Sequence, residues 1–165
     1  MITEPKAEER TEQPYVAIRT QVTMHELGTV IDPVVGELYA WLGQRGVAPV
    51  GPFFIRYRVI NMEAQLDIEL GFPVVSALSS DDRISTGVLP AGRYASLVYT
   101  GPYDGLVEAN AALLDWGAEQ GLMWDSWAAE NGDRFGARLE SYLTDPSTEP
   151  DPAKWDTEVA IRVAA

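Results

Sequence analysis

Apolar and polar residues alternate along six stretches of the chain, and apolar residues recur at helical spacing along two others. Alternation among β-branched residues predicts strands, and apolar residues three and four positions apart predict amphipathic helices. The predicted order is strand, helix, strand, strand, followed by the same order again. The eight segments are residues 14–23, 29–45, 51–60, 65–75, 92–103, 108–120, 136–143 and 156–163.

The first helix carries start and stop signals in the sequence. Asp32 is a favourable N-cap residue, and Pro33 fits a first helical turn. Gly46 and Pro49 interrupt the apolar repeat behind it. These residues predict a helix that begins at Asp32 and ends before Gly46.

Short blocks in the two halves resemble one another and occur in the same order. The blocks LDIELGFPV and WDTEVAIRV align Glu69 with Glu158, and PYVAIRTQV and RYASLVYTG align Tyr15 with Tyr94. Matching blocks in the same order indicate an internal duplication. The alternative is two unrelated halves with similar patterning.

The pattern predicts an α+β fold in a single domain. Residues 1–13 have one apolar anchor in a run of charge, which predicts a disordered acidic tail. Residues 14–165 form the domain, with pseudo-repeats at about 14–76 and 84–164. Two β-α-β-β units side by side give a curved antiparallel sheet, with two helices on one face and a ligand cleft on the other.

Composition excludes several classes of function. A formal net charge of −13 disfavours direct binding to nucleic acid or anionic lipid. The chain has no cysteine and a single histidine, which excludes disulfides, thiolate catalysis and two-histidine metal sites, so we predict no metal and no cofactor. The polar amino terminus and the lack of a run of ~18 apolar residues predict a cytoplasmic protein without membrane contact.

Strand alternation predicts the face of the strand on which the Glu140 side chain lies. In GARLESYL, Leu139 and Leu143 share one face, and Arg138, Glu140 and Tyr142 share the other. If the leucines meet the helices, Glu140 and Tyr142 point into the cleft. A carboxylate there needs a partner, which Arg138 or a tyrosine hydroxyl would supply. The alternative is a partly exposed glutamate on the surface of a strand.

Three further residues are candidates for the site. Glu69 is predicted either to approach the same cleft as a second carboxylate for acid–base work or to be a solvated edge-strand residue. Tyr57 shares a strand face with Ile55 and is predicted to be core or cleft wall. Trp116 lies off the main apolar stripe of its helix, so it would line the cleft edge or complete the core.

Three longer motifs carry a resemblance to a known family: PAGRYASLVYTGPYDGL, ESYLTDP and KWDTEVAIRV. Together they resemble the GyrI-like small-molecule-binding domains, also known as the effector-binding domains of bacterial transcription activators. The resemblance covers about residues 14–163 and is looser in the first half. It implies a duplicated β-α-β-β fold, a cleft for aromatic and often cationic organic ligands, and a central glutamate at Glu140.

One segment departs from the family pattern. Residues 122–137 are longer than the usual connection and contain Trp124 and Trp127. Two tryptophans on such a segment would form a lid over the cleft or anchor the segment to the core. Trp155, in contrast, is predicted to attach the Pro-rich loop 144–154 to the sheet.

The favoured function is a stand-alone, non-enzymatic protein that sequesters or senses aromatic, amphipathic compounds. Its ligand-binding residues would be Glu140, Tyr142, Tyr57, Trp116 and Glu69. Regulators that resemble the chain carry a helix-turn-helix unit, and residues 1–13 are too short and acidic to supply one. Either a monomer or a homodimer is compatible with exposed edge strands.

Two alternative functions stay open. The resemblance includes hydrolases of cyclopropane-containing aromatic genotoxins, in which Glu140 would be catalytic and position a water. An acidic protein-interaction module, such as a gyrase modulator, is supported by the net charge of −13 alone.

Overall fold

The computed structural model describes residues 1–165, which form ten strands and two helices. The strands are β1 (Lys6–Arg10), β2 (Gln13–Val22), β3 (Phe54–Ile60), β4 (Leu66–Pro73), β5 (Ser85–Leu89), β6 (Gly92–Thr100), β7 (Ser126–Ala129), β8 (Gly132–Phe135), β9 (Arg138–Tyr142) and β10 (Asp156–Arg162). The helices are α1 (Leu27–Gln44) and α2 (Leu106–Glu119), and 3₁₀ turns occur at Tyr103–Gly105 and Pro152–Lys154. No helix is both long and apolar enough to span a bilayer.

All strands belong to one antiparallel sheet with the order β1-β6-β10-β9-β3-β4-β2-β5. The hairpin of β7 and β8 attaches to the end of β3. Each unit contributes three neighbouring strands, and the two units meet where β3 pairs with β9. The predicted α+β class, with a curved antiparallel sheet built from two β-α-β-β units, is confirmed.

Equivalent strands pair in the same register in the two units. Arg19 lies opposite Glu69 in the first unit, and Val98 lies opposite Glu158 in the second. The two glutamates that the sequence aligns therefore occupy equivalent positions.

Both helices cover the same face of the sheet. Leu38 and Leu42 of α1 pack with Ile55 of β3 in one buried cluster, and Leu113 of α2 packs with Val159 of β10 in another. Ile55 and Val159 both lie opposite residue 140 of the strand between them, so their side chains share one face. Tyr142 is half-buried and contacts both clusters, so the two clusters meet beside its side chain.

The prediction of a disordered tail over residues 1–13 is wrong. Residues 6–10 form β1, which pairs with β6 from Lys6 opposite Ser96 to Arg10 opposite Gly92. The backbone N–H of Thr3 continues the contact by donating to the carbonyl of Val98, at 2.9 Å. A strand added to a sheet edge is held by backbone hydrogen bonds, so it forms here without an apolar pattern.

The predicted start of α1 is also wrong, because the helix begins at Leu27 and Pro33 lies inside it. The missed signal is a reciprocal pair just ahead of the helix. The N–H of Glu26 donates to the hydroxyl of Thr23 at 3.2 Å, and the N–H of Thr23 donates to the carboxylate of Glu26 at 3.0 Å. Such pairs satisfy free backbone donors at a helix start, whereas Pro33 removes one hydrogen bond further in.

Candidate functional site

Glu140 lies on the face of the sheet that carries both helices. It lies opposite Ile55 on β3 and Val159 on β10, whose side chains belong to the helix-covered clusters. The assignment of Leu139 to the helix face is therefore wrong, and so is the expectation that Glu140 and Tyr142 point to the face opposite the helices, because neighbouring residues of a strand point to opposite faces. The opposite face is also partly apolar, with Tyr15 and Phe54 buried there. The apolar side chain of Leu139 alone therefore did not show which face of the sheet the helices cover.

Three uncharged groups donate hydrogen bonds to the buried carboxylate of Glu140, which is 7% exposed. The hydroxyl of Tyr57 donates to Oε1 at 2.6 Å, and the hydroxyl of Tyr142 donates to the same oxygen at 3.1 Å. The side-chain amide of Asn110, from α2, donates to Oε2 at 3.0 Å. Both carboxylate oxygens are satisfied, although no cation contacts them.

Arg138 reaches Glu140 only through Asn110. Its Nη2 donates to the Oδ1 of Asn110 at 3.0 Å, and its guanidinium lies over the ring of Phe135, 4.8 Å from the centroid. Burial lowers the pKa of Arg138, and the negative charge of Glu140 opposes that shift. The predicted partner of the carboxylate is therefore indirect, and the negative charge of Glu140 is not neutralised by contact.

The two tyrosines remain hydrogen-bond donors over the physiological range. Burial raises the pKa of Tyr57 and of Tyr142 well above the usual value, and the negative charge of Glu140 adds to both shifts. A protonated phenol has one O–H to donate. Both tyrosines donate their O–H to the same oxygen of Glu140.

A cavity of about 520 Å³ opens beside this carboxylate, between α1 and the loop that follows β9. Six aromatic residues line it: Tyr39, Phe53, Phe72, Tyr103, Tyr142 and Trp155. Their rings contact one another around the cavity wall. Phe53 stacks on Tyr142 with 5.9 Å between centroids, and Tyr103 lies 4.7 Å from Trp155.

Tyr142 connects the cavity with the buried carboxylate. Its ring forms part of the cavity wall, while its hydroxyl donates to Glu140. Glu140 itself is not part of the wall. A molecule in the cavity would therefore contact the ring of Tyr142 and feel the negative charge of the carboxylate behind it.

The only charged residues of the cavity wall are Asp32 and Asp145. Burial raises the pKa of Tyr103, and the negative charges of Asp145 and Asp32 add to that shift, so both carboxylates act on the cavity. Hydrogen bonds from the backbone and hydroxyl of Ser147 lower the pKa of Asp145 and keep it ionised. The cavity has two acidic groups and no basic one, which favours cations. No group of three or more His, Cys, Asp or Glu side chains is placed to hold a metal ion.

The predicted site residues separate into two groups. Glu140, Tyr142 and Tyr57 are brought together by hydrogen bonds. Glu69 lies on the opposite face of the sheet, so it does not form a pair with Glu140, and Trp116 packs against the core under α2 and outside the cavity. Glu69 lies on that face because it is paired with Arg56, whose side chain points away from the helices. Side chains of directly paired residues on neighbouring strands point to the same face.

Several site residues were missed from the sequence. Asn110 had a detectable signal, because it is a polar amide next to Ala109 on the apolar stripe of Leu106 and Leu113. Four aromatic wall residues were not named as site candidates: Tyr39, Phe53, Phe72 and Tyr103. Only the tertiary arrangement brings their rings together.

Residues 122–137 do not line the cavity. They contain the β7–β8 hairpin, which pairs with β3 at Val59 and Ile60. The ring of Trp124 covers Gly117 of α2 so closely that a Cβ there would lie 2.2 Å from Cζ2. Of the two predicted roles, anchoring describes Trp124, whereas Trp127 is exposed.

Comparisons with solved structures identify domains of similar architecture. The C-terminal domain of EcmrR has a TM-score of 0.76 at 21% identity, with 98% of this chain and 97% of that chain covered. This chain spans 57% of the EcmrR chain in its complex with DNA, where the TM-score is 0.77. SAV2435 bound to tetraphenylphosphonium has a TM-score of 0.60 at 8% identity, with 99% and 95% covered. A hydrolase from Listeria innocua has a TM-score of 0.68 at 15% identity, with 98% and 92% covered.

Identities this low show a shared fold and leave the activity to be argued from the site. No curated protein matches the chain. A family model described as the GyrI-like small molecule binding domain matches residues 3–164, nearly the whole chain, in agreement with the motifs in the sequence. The chain therefore belongs to the GyrI-like small-molecule-binding domain family.

Proposed function

We propose that this protein binds aromatic, amphipathic organic cations in the cavity beside Glu140. One observation carries the proposal: an aromatic wall residue, Tyr142, donates a hydrogen bond to a buried carboxylate that no cation contacts. The site thus combines flat apolar surfaces with an uncompensated negative charge.

The shape and lining of the cavity suit a flat or propeller-shaped aromatic molecule. A volume of about 520 Å³ lies within the usual range for small-molecule sites. Aromatic rings provide large apolar contact areas and attract cations to their faces. Tyr103, Trp155 and Phe53 would contact the apolar body of such a ligand, with Tyr142 beneath it.

The charges of the site favour a cation over an anion of the same shape. Glu140 provides negative charge behind the wall, and Asp32 and Asp145 provide it in the wall itself. A related fold, SAV2435, has been solved with tetraphenylphosphonium, which is an aromatic cation. This analogy supports the proposed ligand class for the present chain.

Binding is favoured over hydrolysis at this site, although a hydrolase from Listeria innocua has a similar fold. A general base must lie within hydrogen-bond reach of the reacting water, and Glu140 is not part of the cavity wall. Tyr57, Tyr142 and Asn110 already donate to the two oxygens of Glu140. We therefore propose a role in sequestering or sensing the ligand, in which Glu140 orients the tyrosines and supplies charge.

The test compares tetraphenylphosphonium with tetraphenylborate, which has the same shape and the opposite charge. Calorimetric titration is expected to show binding of the cation at least about tenfold tighter than that of the anion, because opposite charges reverse the sign of the electrostatic energy. Mass spectrometry of the recovered ligand is expected to show no chemical change. Failure of the cation to bind, or equal binding of both ions, would contradict the proposal.

A Glu140→Gln variant tests the role of the carboxylate. The amide keeps the shape of the side chain and removes the charge, so affinity for tetraphenylphosphonium is expected to fall about tenfold. Glu119→Gln is the matched control, because Glu119 is exposed at the end of α2 and outside the cavity. Unchanged affinity in a folded Glu140→Gln protein would contradict the role of the Glu140 charge in binding.

A further inference from the structure

The opposite face of the sheet has a second cavity, with a volume of about 560 Å³. Its wall includes four of the 12 basic residues in the chain: Arg19, Arg56, Arg58 and Arg83. This concentration of arginine is notable in a protein with a net charge of −13. The aromatic cavity on the helix face, in contrast, has no basic residue in its wall. Three carboxylates, Glu69, Asp81 and Asp82, also line the second cavity, so its wall has charges of both signs, whereas the wall of the aromatic cavity has acidic residues only.

Arg56 is a buried cation without a carboxylate in contact. Its side chain points away from the helices, and the residue is 5% exposed. Nη1 donates to the hydroxyl of Tyr15 at 2.9 Å, and Nη2 donates to the carbonyl of Gly136 at 2.7 Å. Its Nε is buried and has no partner. A charge removed from water without an opposite charge is unfavourable, so this guanidinium attracts an anion.

No group in contact with Arg56 neutralises its charge. Tyr15 accepts from Arg56 and donates to Oε1 of Glu69 at 2.8 Å. Burial raises the pKa of Tyr15 to about 12, so this bridging group is neutral. Arg58 lies 2.8 Å from the same Glu69 oxygen, as an ion pair without hydrogen-bond geometry. Glu69 therefore contacts one guanidinium, that of Arg58, and is connected to the other only through Tyr15.

The other charges of the cavity are already engaged or lie at its rim. Arg19 pairs with Asp67, and Arg83 pairs with Glu37. Two further carboxylates, Asp81 and Asp82, line the outer part of the cavity. The oxygens of Asp81 accept the backbone N–H groups at positions 83 and 84 and an indole N–H, and Asp82 is exposed.

We propose that this second cavity binds an oxyanion, the carboxylate or phosphate group of a small molecule. Arg58, with a side chain that is 33% exposed, is the group that contacts the anion. Arg56 supplies the uncompensated charge beneath it. Ser85 and Thr86 of β5 also line the cavity. The hydroxyl of Ser85 donates to the carbonyl of Ala17, whereas that of Thr86 can accept from the hydroxyl of Ser80, 3.3 Å away, and donate its own proton to the anion. A guanidinium with adjacent hydroxyls is a common partner of carboxylate and phosphate oxygens.

The experiment is a titration of the whole protein with sodium phosphate and, separately, with sodium succinate. Sodium chloride keeps the ionic strength constant, and two-dimensional ¹H–¹⁵N NMR follows the backbone amides. At least one of the two anions is expected to cause saturable shifts at Arg58, Ser85 and Thr86. Shifts with phosphate alone indicate a phosphorylated ligand, and shifts with succinate alone indicate a carboxylic acid; both results support an oxyanion site.

Substitution of Arg58 provides the decisive variant, since substitution of the buried Arg56 endangers the fold. Arg58→Gln is expected to weaken anion binding by about tenfold or more, which is typical of a lost charged hydrogen bond. Arg93→Gln is the matched control, because Arg93 is exposed on β6 and outside this cavity. Binding of tetraphenylphosphonium at the other face reports whether each variant is folded. Absence of saturable shifts with both anions, or equal anion affinity of the native protein and Arg58→Gln, would overturn the proposal.

Discussion

Tyr57 and Tyr142 occupy equivalent positions in the two β-α-β-β units, and both donate to one oxygen of Glu140. Each tyrosine follows the residue that lies opposite an equivalent glutamate, Glu69 in one unit and Glu158 in the other. The carboxylate breaks this symmetry, because its counterpart in the first unit is an isoleucine on the neighbouring strand. A duplicated pair of phenols thus converges on a single acid.

Removal of the Tyr57 hydroxyl is expected to lower the free energy of unfolding by about 1–3 kcal/mol. The Tyr57→Phe change deletes a buried 2.6 Å hydrogen bond and leaves Glu140 with fewer donors. Urea denaturation monitored by circular dichroism measures the effect. Tyr39→Phe is the control, because Tyr39 is 53% exposed and its hydroxyl has no hydrogen-bond partner, so a change below about 0.5 kcal/mol is expected. Equal effects of the two substitutions would contradict the structural role of Tyr57.

Neutralisation of Asp32 is expected to weaken binding of an aromatic cation two- to threefold, roughly, at low salt. Asp32 lies in the cavity wall and is exposed, so water and salt screen its charge. Titration of Asp32→Asn with tetraphenylphosphonium at low and high sodium chloride measures the difference, which should shrink at high salt. Asp115→Asn, on the exposed side of α2, should behave as the native protein does. A loss of affinity that persists at high salt would point to a steric cause instead.

Trp155 is expected to contribute to ligand affinity through its ring and to loop order through its indole N–H. The ring lines the cavity beside Tyr103, and Nε1 donates to the carbonyl of Glu149 at 2.7 Å. Trp155→Ala should weaken tetraphenylphosphonium binding roughly fivefold, whereas Trp155→Phe should retain most of the affinity. Both variants should increase proteolytic cleavage in loop 144–154, since both lose the indole donor. Similar affinities of the two variants would exclude a role for the ring in binding.

Stability is expected to fall between pH 10 and 12 because of Tyr15. Its pKa is about 12 in the folded protein and near 10 in the unfolded chain. Below pH 10 both states hold the proton, so the contribution is complete. Between these values the unfolded chain loses the proton first, so the free energy of unfolding falls by roughly 2–3 kcal/mol in total.

The measurement for Tyr15 is the pH dependence of urea denaturation in this window. Tyr15→Phe should be less stable at neutral pH, because it loses the bonds to Glu69 and Arg56. Its decline between pH 10 and 12 should nevertheless be shallower than that of the native protein. Parallel declines would show that the Tyr15 pKa is not raised. Tyr57 and Tyr142 account for the slope that remains, because burial raises their pKa as well.

The sequence predicted the layout of the two units well, because alternation and helical spacing are local properties of the chain. Strand parity also grouped Arg138, Glu140 and Tyr142 correctly on one face. Parity gives relative directions within a strand, however, and does not identify the layer that covers each face. Leu139 and Glu140 were assigned to the wrong faces for this reason, since both faces of the sheet bury apolar side chains. Glu69, in contrast, was correctly directed away from the apolar face of its own strand.

The cavity wall was harder to predict than the carboxylate. Phe53, Phe72 and Tyr103 come from three separate parts of the chain, and each also reads as an ordinary core residue. Trp155 was predicted to anchor its loop, and its bond to Glu149 agrees with that interpretation. Trp155 also lines the cavity, a second role that no local pattern reveals.

The first strand has a consequence for how the molecule unfolds. β1 precedes the first unit in the chain, yet it hydrogen-bonds along β6 of the second unit. β5 connects the units and extends the outer edge of the first. Cleavage of the chain between the units would therefore separate the second unit from β1, the strand that covers its outer edge. The two halves are expected to melt together, in one cooperative transition, despite the independence that their repeated pattern suggests.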